Sequence, residues 1–208
     1  MTTAAENRRV LVIDDNPAIH EDFRKILLPP TPGNDFHAAR AQLFEGTEPP
    51  TPRIDFHIDC ADQGEQGFEM VKEAMHNGCP YAMAFVDMRM PPGWDGAETI
   101  EQIWQVDPDI QIVICTAYSD HNWDHLLTRL SHPDQLLILR KPFEAIEVMQ
   151  LATSLTERWN QHVHTKQQLN MLAALQEERA GEVQQAIREL EEEANRRGHI
   201  PSEPSQRS

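Results

Sequence analysis

Five polar residues stand where apolar runs of this chain end, and their types together could carry out phosphorus chemistry. Asp14 and Asp15 close Val10-Leu-Val-Ile13, and Asp87 closes Tyr81-Ala-Met-Ala-Phe-Val86. Thr116 closes Ile110-Gln-Ile-Val-Ile-Cys115, and Lys141 stands just past Leu136-Leu-Ile-Leu139. An apolar run that ends on a carboxylate and gives way to a Pro/Gly loop delivers an acid to the C-terminal edge of a parallel sheet. Open α/β folds place their sites at that edge. Asp15 and Asp87 on neighbouring strand ends would make a hard oxygen site suited to Mg²⁺, which takes only one or two carboxylates and keeps several waters. Asp14 adds negative charge and can hold a metal-bound water. Without a cation the three carboxylates repel one another. With one, Asp87 is a competent nucleophile toward phosphorus. Phosphoryl transfer needs charge compensation and alignment; Mg²⁺ and the Lys141 ammonium would supply the first, and the Thr116 hydroxyl can donate to a phosphoryl oxygen. Ala117 is small enough to leave the mouth open. A lone strand-end Asp is more often a helix cap than a catalyst. The set of five carries the argument.

Positioning such a set takes strands that alternate with helices. Asn16-Pro17 is a helix start, and Ile19, Phe23, Ile26 and Leu27 recur at helical spacing. Ile54, Phe56, Ile58 and Cys60 alternate with polar residues, as in a strand with one less buried face. Gly64 to Asn77 reads as a helix with Phe68, Val71 and Met75 inward and Gly78 at its C-cap. Helices are also expected over Ala97–Val106 and Asn122–Leu130, and a last strand over Gln135–Arg140. The rhythm is five βα units, which specifies a parallel sheet covered on both faces. Between Pro29 and Arg53 the chain is proline-rich and far longer than the ~2–6 residues usual for such connections, so 29–53 is an insertion.

Composition narrows the function classes. The chain has 208 residues, enough for one domain with a full core plus an appendage. Its net charge is −16, and acidic residues outnumber basic ones on both sides of Pro142, so direct nucleic-acid binding has no electrostatic support. Cys60, Cys79 and Cys115 have neither metal spacing nor a disulfide pattern. The N-terminus lacks an apolar signal core and no run approaches the ~18 apolar residues of a membrane span, so a cytoplasmic location is expected.

From Phe143 to Arg197 the only Gly or Pro is Gly181. Val148, Leu155, His162, Leu169, Gln176, Val183 and Leu190 share one heptad position; Ala152, Trp159, Lys166, Ala173, Ala180, Ile187 and Ala194 share the other. This 4–3 seam predicts a long helix over 146–197 that forms a parallel coiled-coil homodimer. A helix that packs back on its own domain and then frays is the alternative. The polar tail 198–208 is expected to be disordered.

Residues 9–145 resemble the receiver domain of two-component response regulators. The matching pieces are Val10-Leu-Val-Ile-Asp14-Asp15, Val86-Asp87-Met-Arg-Met90-Pro91 through Asp95-Gly96, Thr116-Ala117 and Lys141-Pro142-Phe143. The resemblance implies a flavodoxin-like, doubly wound five-stranded parallel sheet in the order 2-1-3-4-5. It implies that Asp87 is the phosphoacceptor, taking a phosphoryl group from a histidine kinase or phosphotransfer protein. Asp14, Asp15 and Asp87 would hold Mg²⁺ together with the backbone carbonyl of Arg89, while Thr116 and Lys141 would contact the phosphoryl group. The segments Pro91-Pro-Gly-Trp-Asp-Gly96 and Leu136-Leu-Ile-Leu-Arg-Lys-Pro-Phe143 look like receivers placed ahead of sensor-kinase or cyclic-di-GMP output modules. No separate catalytic output module is read in these residues, so the chain is expected to accept phosphate without being an enzyme in its own right. Three features depart from the family. The Met90–Asp95 loop is one residue longer, 29–53 is extra, and Ile138 stands where a switch aromatic is usual, with Tyr118 and Trp123 as possible substitutes.

Two rivals use the same residues. A haloacid-dehalogenase-like phosphatase also needs an Asp nucleophile, Mg²⁺, Thr and Lys, but expects Asp-x-Asp where position 89 is Arg. A pseudo-receiver scaffold would dimerise without phosphorylation, which leaves the intact acid set without a purpose. His121 and His125 have i, i+4 spacing but no third ligand, and His162 and His164 do not share a helical face.

Overall fold

Apart from Arg9 at one end and Asp87 at another, uncharged and mostly apolar side chains fill Arg9–Ile13 (β1), Met83–Asp87 (β3) and Gln111–Thr116 (β4), and these strands are buried almost throughout. The computed structural model describes residues 6–28, 54–117, 130 and 132–198. With His57–Ala61 (β2) and Leu136–Arg140 (β5) they form one sheet in the order β2-β1-β3-β4-β5, every pair parallel. That is the flavodoxin-like order, with its crevice where the connections diverge between β1 and β3. The helices are α1 (Pro17–Leu27), α2 (Gly64–His76), α3 (Gly96–Val106) and α4 (Ala145–Gly198). The insertion 29–53, the segment holding Tyr118, His121, Trp123 and His125, and the tail past Gly198 lie outside the described residues. Among the described residues no helix is long and apolar enough to cross a membrane.

The chain divides into two units, Met1–Val163 and His164–Ser208. In the first, alternation along each buried strand sends side chains to two cores. Leu11, Ile13, Ala84, Val86, Ile112 and Ile114 pack with α2 and α3. Val10, Val12, Met83, Phe85, Val113 and Cys115 pack with α1 and the start of α4. Asn16 caps α1 by accepting from the Ala18 amide at 3.0 Å, and Pro17 at N1 loses no hydrogen bond there.

Helix α2 departs from its expected face. Gly64, Gly67, Val71 and Ala74 are its buried residues, whereas Met75 is 39% exposed and Phe68 only partly buried. The cause is close approach: a Cβ at Gly67 would stand 2.4 Å from Ile13 Cδ1 of β1, and one at Gly64 would meet Thr99 of α3, so the helix packs through its glycines. Beyond α2, Gly78 takes φ +68°, the left-handed conformation that ends a helix cheaply only at glycine.

The first turns of α4 correct the expectation that its whole seam awaits a second helix. Val148, Ala152, Leu155 and Trp159 are already buried within this one chain, with Leu155 at 3% and Trp159 at 8% exposed. Polar contacts fix the same stretch. Asn160 Oδ1 accepts from the Asn7 amide at 2.8 Å while its Nδ2 donates to the Asn7 carbonyl at 3.0 Å. Arg8 donates to Thr156 Oγ1 at 3.0 Å. His162, which stays exposed, stands 3.2 Å from Asp109 Oδ1. In the second unit the picture inverts: Leu169 is 61%, Val183 58% and Leu190 66% exposed.

Candidate functional site

Strand register fixes where the site forms. Ile13 pairs with Val86, so Asp14 follows β1 beside Asp87 at the end of β3. Asp87 pairs with Cys115, and Thr116 pairs with Arg140, which puts Thr116 and Lys141 one step further along β4 and β5. Buried strands that all stop at one edge must present their terminal side chains there, and that edge is the crevice side of the sheet.

The carboxylates do converge. One oxygen each from Asp14, Asp15 and Asp87 lies within 4.8 Å of the others; Asp14 and Asp87 are buried and Asp15 is exposed. The Lys141 ammonium bridges the two buried acids, 2.7 Å from Asp14 Oδ2 and 2.8 Å from Asp87 Oδ1. Main-chain amides take the opposite oxygens. Asn16 N donates to Asp14 Oδ1 at 2.9 Å, and Arg89 N donates to Asp87 Oδ2 at 3.2 Å. Burial of the Lys141 amine pulls its pKa down, but hydrogen bonds and the charges of Asp14 and Asp87 outweigh it and hold the pKa above the ordinary 10.5. The lysine is therefore a fixed cation at neutral pH.

Three carboxylates against one ammonium leave an excess of negative charge, and all the acidic donors are hard oxygens. A donor set of that kind, with one acid open to solvent, fits a divalent cation of the Mg²⁺ class that retains waters. Thr116 is brought to the same edge and is buried, and the Lys141 amide donates to its carbonyl at 2.8 Å. Its hydroxyl donates to the Ala117 carbonyl at 3.1 Å.

Three contributors to the site were not read from the sequence. The Asn16 and Arg89 amides act through the main chain, which residue type does not reveal. Gly96 admits the close return of the loop after β3: a Cβ there would stand 2.4 Å from the Asp87 carbonyl oxygen. The glycine after Asp95 was the available signal.

Comparison with known proteins completes the picture. A search of curated proteins finds no match. Among solved structures the chain is similar to an adenylate cyclase from Rhodopirellula baltica, with TM-score 0.57 and 17% identity over 79% of this chain and 98% of that one. It is similar to a response regulator receiver protein from Sinorhizobium medicae WSM419, with TM-score 0.52 and 20% identity over 75% and 99%. It is also similar to the signal receiver domain of an HD domain-containing protein from Pseudomonas fluorescens Pf-5, with TM-score 0.54 and 13% identity over 79% and 97%. At such identities the likeness concerns the fold. The family model for the response regulator receiver domain matches residues 51–153, a span that holds Asp87, Thr116 and Lys141. Asp14 and Asp15 precede that span, yet the sheet returns them to Asp87. The chain carries a receiver domain of the two-component response-regulator family.

Proposed function

We propose that Asp87 accepts a phosphoryl group from the phosphohistidine of a kinase or phosphotransfer partner, and that the chain relays this state through α4. The observation that carries the reading is the convergence of Asp14, Asp15 and Asp87 around the Lys141 ammonium. Asp14, Asp15, Asp87 and the Arg89 carbonyl are the proposed holders of Mg²⁺, which when bound offsets charge on the phosphoryl oxygens. An Asp87 carboxylate oxygen forms the new P–O bond as the P–N bond to the donor imidazole breaks, and the electron pair leaves with the imidazole nitrogen. Lys141 then pairs with the phosphoryl oxygens as well as with Asp14. Thr116 reaches them only by giving up its bond to the Ala117 carbonyl, so its rotation would register phosphorylation.

The output follows from the contrast along α4. Its first turns are buried on the receiver, and beyond His164 it exposes Leu169, Leu172, Val183, Ile187 and Leu190. A second copy is the proposed cover, in a parallel two-stranded coiled coil; burying each large apolar side chain is worth roughly 1.5–3 kcal/mol. Lys166, Gln176 and the alanines keep such a seam weak enough to adjust.

The test is phosphorylation by acetyl phosphate with Mg²⁺, followed by intact mass. One phosphoryl group per chain is expected, lost with chelator and absent in Asp87→Asn. Undiminished labelling of Asp87→Asn would reject the assignment. Sustained turnover of generic phosphate esters would instead point to a phosphatase.

A further inference from the structure

The loop from Met88 to Asp95 that carries Arg89 past Asp87 is braced by a neighbour outside the acid cluster. At its near end the Arg89 amide donates to Asp87 Oδ2, the Gly96 amide donates to the Met88 carbonyl at 3.2 Å, and Met90 is buried. At its far end the contacts are with the start of α2. The Trp94 amide donates to Glu65 Oε1 at 3.2 Å, and Gln63 Nε2 donates to the Pro91 carbonyl at 3.5 Å. The Trp94 ring lies 5.7 Å from the Phe68 ring, tilted by 60°. Gly93 fits between these groups only because it lacks a side chain: a Cβ there would stand 2.6 Å from Glu65 Oε2 and 2.7 Å from Gln63 Oε1.

Glu65 lies in the first turn of α2, where a carboxylate is favoured by unpaired amides, and the N-cap residue Gln63 makes no side-chain cap. One carboxylate thus joins a helix start to a loop amide. A loop that holds Pro91, Pro92 and Gly93 samples fewer arrangements once its far end is tied.

We propose that Glu65 is a positioning residue of the phosphoacceptor site: by accepting the Trp94 amide it holds the loop so that Arg89 stays against Asp87, and so sets the affinity of the acid cluster for Mg²⁺. The inference rests on the reading that this cluster holds a divalent cation. It differs from simple charge attraction, since it needs an acceptor at Glu65 Oε1 rather than a negative charge.

Melting temperature measured across an Mg²⁺ series, with chelator as the zero point, reports both folding and cation affinity for each variant. Glu65→Ala is expected to weaken Mg²⁺ binding about tenfold, the low end for losing a supporting contact at a metal site. Glu65→Gln, which keeps the acceptor and drops the charge, is expected to match wild type. Gly93→Ala pushes Glu65 away from the loop side and is expected to behave like Glu65→Ala, with the double variant no worse than either single one. A wild-type affinity in Glu65→Ala overturns the proposal, and so does equal weakening in the Gln and Ala variants, which would make the effect electrostatic. If Glu65→Ala melts in chelator before binding can be read, Gly93→Ala decides alone. Asp15→Asn separates the levels: an Mg²⁺ response of wild type that Asp15→Asn retains overturns the cation reading itself. An Asp15-dependent response that is indifferent to Glu65 overturns only the brace.

Discussion

Lys141→Met removes the ammonium that Asp14 and Asp87 share while keeping most of its aliphatic stem. The ammonium stands 2.7 and 2.8 Å from carboxylates whose side chains are only 3% and 11% exposed. At an effective dielectric constant of about 20, each contact is a gross attraction of ~6 kcal/mol. Desolvation cancels much of that. What an experiment records is the cost of leaving buried acids without their cation, about 3–5 kcal/mol when one partner of a buried pair is lost. The lysine pKa is raised in the folded state, so this stabilisation is complete below the ordinary lysine value and fades only as pH climbs through the raised one. Neutral pH records all of it. Urea unfolding in chelator should therefore show Lys141→Met weaker than wild type by about 3 kcal/mol or more. Millimolar Mg²⁺ should recover a large part of that loss, because a cation bound by the same acids takes over the compensation. A loss under about 1 kcal/mol, the scale of an exposed pair, would refute the reasoning. So would a loss that Mg²⁺ leaves unchanged.

Three more expectations follow from burial. Leu155→Ala should cost about 2–5 kcal/mol even in a chain cut after Val163, because Leu155 packs on its own sheet; a negligible change by urea unfolding would return Leu155 to a dimer seam. Sedimentation should find the full chain dimeric at micromolar concentration, the chain ending at Val163 folded and monomeric, and Leu169→Glu with Ile187→Glu monomeric; a dimer that survives both changes would move the interface onto the receiver. Toward a thiol reagent at neutral pH, exposed Cys79 should react first, half-buried Cys60 more slowly because burial raises its thiol pKa, and Cys115, fully enclosed and also raised, only on unfolding. Fast labelling of Cys115 in the native protein would contradict the packing of β4.

The sheet was legible because Val10–Ile13, Tyr81–Val86 and Ile110–Cys115 are apolar runs of strand length that each end on a reactive group, and two signals at one position reinforce each other. The convergence of Asp14, Asp15, Asp87 and Lys141 was legible for the same reason. Helix α2 was misjudged at Met75 because hydrophobicity marks the buried face only when side chains make the contact, and Gly64 and Gly67 make it here. On α4 the residues that share the heptad positions in the first turns are buried, but one phase serves two purposes. Val148, Ala152 and Leu155 pack against the sheet, and Trp159 is buried beside them in sequence, with the same spacing that would face a second helix. Sequence periodicity reports that a stripe is covered and is silent on the cover. The Glu65–Trp94 contact joins residues far apart in sequence, and the fold alone brings them together.

The central claim is that Asp87 is the phosphorylated residue, and an acyl phosphate can be mapped directly. After reaction with acetyl phosphate and Mg²⁺, borohydride reduces the aspartyl phosphate to homoserine, and peptide mass spectrometry locates it. The account predicts conversion at Asp87 and at no other carboxylate, with none in chelator. Homoserine at Asp14 or Asp15, or phosphorylated protein in which Asp87 survives reduction unchanged, would contradict it.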